Sequence, residues 1–107
     1  MRILLLDAID PHAELESRYP SLGLGYLSSY LKLKLGSQNI TTKIIYQNLA
    51  TEIKNFRPDI LGIRVVSQNY NRAIAAAKEA KKQHLPVVVG GIHITCLPKT
   101  LTKNMDV

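Results

Sequence analysis

Two hydrophobic rhythms alternate along this chain. Residues 2–7, Arg-Ile-Leu-Leu-Leu-Asp, form a continuous apolar run closed by Asp7. An unbroken run of this kind predicts a strand covered on both faces. A long polar stretch, Ala8 to Ser21, follows and contains Pro11 and Pro20. A loop of that length inside a compact domain is unusual and is often functional. From Leu22 the rhythm changes: Leu24, Leu27, Leu31 and Leu35 recur at helical spacing until Gly36 stops the run. Ile40–Tyr46 is β-branched and predicts a second strand. Leu49, Ile53 and Phe56 then mark a short helix, ended at Arg57 because a residue before proline is pushed out of helical geometry. Ile60–Val66 predicts a third strand, broken by the polar Ser67-Gln68-Asn69. Tyr70, Ala73, Ile74, Ala77 and Ala80 give the next helix, with Lys81, Lys82 and His84 complementing its negative end. Val87, Val88 and Val89, set between Pro86 and the pair Gly90-Gly91, predict a short, fully buried fourth strand. Residues 98–104 read as one more helix and residues 105–107 as the start of a fifth strand.

Strand and helix thus alternate, which demands right-handed crossovers and an open parallel sheet flanked by helices, an α/β architecture. The chain has 107 residues, enough for a single domain spanning 1–107. The pattern stops at Asp106-Val107, where an apolar strand would continue, so the sequence is expected to be an N-terminal fragment of a longer protein, cut before the last strand and helix. There is no Trp and one Phe, so aliphatic side chains must fill the core. No apolar run approaches the ~18–20 residues of a membrane span, and no membrane partner is expected. The start lacks the cleavage site of a signal peptide, which points to a cytoplasmic setting. Cys96 is the only cysteine, which excludes an internal disulfide and any multi-cysteine metal site made by this chain alone. The net charge of +6 comes from lysines spread over the helices, a solubilising surface rather than a nucleic-acid footprint.

In open parallel sheets ligands sit at the carboxyl ends of the strands. Two candidate segments lie there: Ser67 and Gln68 after the third strand, and Gly90, Gly91 and His93 after the fourth. Glycines without a Cβ allow a ligand close to the backbone, or they simply make a tight turn. Ser67 either contacts a ligand or caps the helix that follows. Gly23-x-Gly25 resembles the start of a dinucleotide fingerprint, but Ser28 stands where the third glycine belongs and the pair does not follow the first strand directly. No nucleophile–base pair is evident, so this segment alone is not expected to catalyse a reaction.

Three segments together resemble a known family: Tyr19-Pro-Ser-Leu-Gly-Leu-Gly-Tyr-Leu27, Pro58-Asp-Ile-Leu-Gly-Ile63 leading to Ser67, and Val87-Val-Val-Gly-Gly-Ile-His-Ile-Thr-Cys-Leu-Pro98. They are similar to the N-terminal cobalamin-binding domain of radical S-adenosylmethionine enzymes. The resemblance implies a flavodoxin-like fold that carries cobalamin at the carboxyl edge of its sheet. It also implies cofactor-binding roles for Leu22, Gly23, Ser67, Gln68, Gly90, Gly91 and His93, with Ser67 touching the nucleotide tail and the glycine pair letting it pass. Asp10-Pro-His-Ala-Glu-Leu15 matches the Asp-x-His-x-x-Gly of other cobalamin domains except at Leu15. His12 is therefore either a cobalt ligand, with Asp10 able to orient it, or a solvated loop histidine. The cluster motif Cys-x-x-x-Cys-x-x-Cys is absent, so S-adenosylmethionine and a 4Fe-4S cluster are expected only in a missing C-terminal catalytic domain. The expected function is a module that positions cobalamin for methyl transfer, or for cyclisation or rearrangement of a small molecule. The alternative is a non-enzymatic flavodoxin-like regulatory or protein-interaction module without cofactor. A face bared by the missing domain is expected to favour a homodimer of the fragment.

Overall fold

A computed structural model describes residues 1–10, 12 and 21–106. Most of the polar loop, with Leu15, Tyr19 and Pro20, and the terminal Val107 lie outside the described residues. Four strands form a parallel sheet: β1 (Arg2–Asp7), β2 (Thr41–Ile45), β3 (Ile60–Arg64) and β4 (Val87–Gly90). Their order across the sheet is β2-β1-β3-β4. The chain steps from β1 to β2 through α1 (Leu22–Leu35), then crosses back over β1 to β3 through α2 (Leu49–Phe56). The third crossing, to β4, uses α3 (Tyr70–Lys82). The direction of winding reverses between β1 and β3, and a sheet of this kind opens a crevice at that point.

Alternation along the strands assigns the two faces. Leu4, Leu6, Leu61, Ile63, Val87 and Val89 point to the face covered by α2 and α3, where Ala73, Ala77 and Ala80 let α3 lie close to the sheet. Ile3 and Leu5 point to the opposite face and pack with Leu24 and Ile40. Only α1 covers that second face among the described residues, and it sits over β1 and β2. Ser28 of α1 and Thr42 of β2 pair their hydroxyls beneath it. The helix ends where Gly36 takes a φ of +87°, a conformation that suits a residue without Cβ.

The structure departs from the sequence pattern in four places. β4 is not buried on both sides: Val88 is 37% exposed, because no described element covers β3 and β4 on the α1 side. Within α1, Leu24 is buried and Leu31 packs beside it, whereas Leu27 and Leu35 face solvent with Leu22 and Leu33. No helix spans 98–104; only a 3-10 turn, Pro98–Thr100, forms there. Instead a short helix, α4 (Ile92–Cys96), follows the glycine pair, although Ile and Thr are poor helix formers. Burial of His93 and Ile94 holds it in place. The expected start of a fifth strand is seen as a parallel bridge from Asp106 to Val88.

Candidate functional site

The half of the second face that no described element covers holds a cleft of about 330 Å³. Its floor is Gly62 of β3 and Val88 of β4, and its wall is Leu24 and Leu27 from the first turns of α1. Arg64 and Gly90 close its upper end, at the carboxyl edge of the sheet. The lining is apolar apart from Arg64. The cleft exists because small residues stand where side chains would fill it. A Cβ built on Gly23 or Gly90 meets nothing within 4 Å, so both glycines border open space.

Gly91 has a different task. Its φ is +116°, and an added Cβ would lie 2.6 Å from the carbonyl oxygen of Val65. It is a glycine because the chain turns sharply against the end of β3, not because a ligand needs the room. Of the paired glycines, Gly90 faces the open space and Gly91 makes the turn.

Two polar clusters stand at the same edge. In the first, Arg64 donates from Nη1 to both carboxylate oxygens of Asp7, at 3.2 and 3.0 Å. Asn69, buried to 2% exposure, fixes this pair. Its Nδ2 donates to the Arg64 carbonyl at 3.1 Å and reaches Asp7 at 3.4 Å, while its Oδ1 accepts the Val66 N–H at 2.8 Å. Only an amide supplies donors and an acceptor in this way. In the second cluster the Ser67 hydroxyl lies 3.0 Å from His93 Nδ1, and the His93 ring stacks on Tyr70 at 4.4 Å. Tyr70 donates its hydroxyl hydrogen to the Thr100 carbonyl at 2.6 Å. His93 Nε2 is buried and has no hydrogen-bond partner among the described residues.

The residues singled out from sequence divide accordingly. Gly23, Gly90 and Gly91 line the cleft. Ser67 and His93 meet each other just past the strand ends, outside the cleft lining, and Gln68 beside them is exposed. Leu22 is 69% exposed and does not line the cleft. His12 is exposed, and its backbone N–H donates to the Asp10 carboxylate at 2.9 Å. Asp10 also pairs with Arg72 at 3.2 Å. Among the described residues, no group of three or more His, Cys, Asp or Glu gathers to hold a metal ion. Sequence reasoning passed over Gly62, Arg64, Leu24 and Val88. A signal was present: Gly62 interrupts an apolar strand, and glycine within a strand often marks a close approach. Arg64, two residues on, shares its face.

Such a site suits a ligand with a flat apolar part and a polar part at the sheet edge. The family model described as B12 binding domain matches residues 11–107. A protein of Pyrococcus horikoshii bearing the name "Uncharacterized methyltransferase PH0819" is 33% identical over 85 residues, 75% of this chain. The match spans 18% of that relative's length. No solved structure matches.

Proposed function

Because this chain belongs to the family of B12-binding domains, we propose that it holds the nucleotide tail of cobalamin in the cleft beside β3 and β4 and presents the corrin at the carboxyl edge of the sheet. The observation that carries this reading is the open space at Gly23 and Gly90 on a sheet face that no described element covers. Gly62 and Val88 offer a flat apolar floor for the base of the tail. The exposed Ser67, held beside His93 just past the strand ends, offers a polar contact at the edge. Cobalamin supplies a cobalt centre able to accept and release a methyl group. The residues of this chain bind and orient it and keep water from its tail.

Methyl transfer is supported by the name of the Pyrococcus horikoshii relative. We place the catalysis itself in a C-terminal domain of the same protein, with S-adenosylmethionine and a 4Fe-4S cluster. That placement is supported by the three-segment resemblance to radical S-adenosylmethionine enzymes. His12 would be a candidate ligand for the cobalt, since imidazole binds cobalt well.

Titration with hydroxocobalamin, read by the visible spectrum and by equilibrium dialysis, tests the reading. Saturable binding with a spectral change is expected. With His12→Ala, loss of the spectral change with binding retained identifies the ligand. An unchanged spectrum removes His12 from the site. Absence of binding at high cofactor concentration overturns the cobalamin reading and leaves the interaction module.

A further inference from the structure

The cleft contains one charged side chain among its described lining residues, and its position is specific. Arg64 is flanked in the sheet by Asp7 of β1 on one side and Gly90 of β4 on the other. Toward β1 its Nη1 is bound to the Asp7 carboxylate, and Asn69 holds both residues in register. Toward β4 there is no side chain, and a Cβ at Gly90 would meet only open space. Its Nε and Nη2 make no hydrogen bond to the described residues. A lysine would neutralise Asp7 equally well as a point charge. The planar fork of arginine instead allows one edge to hold a carboxylate while the other meets a second anion. Deeper than Arg64 the lining is Leu5, Leu24, Gly62 and Val88, which suits an uncharged flat group. The cleft therefore asks for a ligand whose apolar end is inserted and whose anionic group lies at the rim.

We propose that Arg64, oriented by Asp7 and Asn69, recognises the phosphodiester of the cobalamin nucleotide tail and so selects for corrinoids that carry that tail. This inference rests on the cobalamin reading above. The phosphodiester joins the corrin side chain to the ribose and base, so an anion at the rim with a base below it matches the order of groups along the cleft. Asp7 both aims the guanidinium and removes its net charge, so a second anion binds by directed hydrogen bonds rather than by bulk attraction.

The test compares cobalamin, dicyanocobinamide, which lacks the phosphate, ribose and base, and inorganic phosphate. Each is measured by equilibrium dialysis against the wild-type chain, Arg64→Gln and Arg64→Lys, with circular dichroism and thermal melts as folding controls. Arg64→Gln is expected to weaken cobalamin binding roughly tenfold or more, the size of a charge-assisted hydrogen bond, and to leave cobinamide binding unchanged. Arg64→Lys, which keeps the charge opposite Asp7, is expected to lose less, and it serves if Arg64→Gln does not fold. Cobalamin bound equally by wild type and Arg64→Gln overturns the proposal while sparing the cobalamin reading. Equal losses for cobalamin and cobinamide also overturn it, since the effect is then structural. Inorganic phosphate displacing cobalamin at comparable concentration would make Arg64 a general anion site, against the proposal. Failure of the wild-type chain to bind either corrinoid overturns both.

Discussion

Gly90 and Gly91 are adjacent and chemically identical, yet the structure asks opposite things of them. Gly91 holds a left-handed backbone with the Val65 carbonyl 2.6 Å from where a Cβ would stand. Replacing it by alanine adds backbone strain and a clash, and Gly91→Ala is expected to lower stability by about 1–3 kcal/mol, read from urea unfolding. Gly90→Ala should leave the unfolding free energy within about 0.5 kcal/mol of wild type, because the added methyl meets nothing. The same methyl enters the cleft and should weaken cobalamin binding severalfold. Equal stability losses in the two variants would mean that the glycines share one structural duty. The sequence displayed the pair and its place after a strand. The division of labour was hidden in it, because it depends on which strand end the chain folds back against.

At the scale of elements, α1 shows what helical spacing leaves unsaid. Leucines at positions 24, 27, 31 and 35 announced a helix, and a helix forms. Apolar residues surround it rather than lining one stripe, and Tyr26, Tyr30 and Leu33 are exposed, Leu33 to 79%. Their exposure follows from the helix covering β1 and β2 alone. Leu33→Lys is expected to leave the fold intact and to reduce concentration-dependent self-association in light scattering. A wild-type chain that stays monomeric, or an association unchanged in the variant, would rule out this face as a contact between copies. The strands were legible because continuous apolar runs between turn residues admit few alternatives. The half-buried character of β4 was not, since Val87, Val88 and Val89 look alike in sequence and differ only in what lies above each. Residues 98–104 misled for a related reason: a proline that can start a helix also suits a single turn. α4 escaped notice because tertiary burial of Ile94 and His93 outweighs the low helix propensity of its β-branched residues.

At the scale of the whole molecule, one sheet face is sealed by α2 and α3, and the described residues seal the other over half its width. The parallel sheet and its flanking helices were readable from the alternation of elements; the order of the strands was not. The cleft was not, because it arises where two residues far apart in the chain, Gly23 of α1 and Gly90 of β4, both border open space. A ligand filling it adds its binding free energy to folding. At a free concentration one hundred times Kd, cobalamin should stabilise the chain by about 2.7 kcal/mol. For a domain of this size that corresponds to a melting shift on the order of 10 °C or more. A differential scanning measurement with and without cofactor checks this, and an unchanged transition would argue against the cleft as the binding site. The half-open face also bears on the life of the protein in a cell. Proteases act on the population that transiently opens, and that population shrinks as the cleft fills. Limited proteolysis is therefore expected to slow as cobalamin is added, and an unchanged cleavage rate would count against the cleft as the cofactor's place.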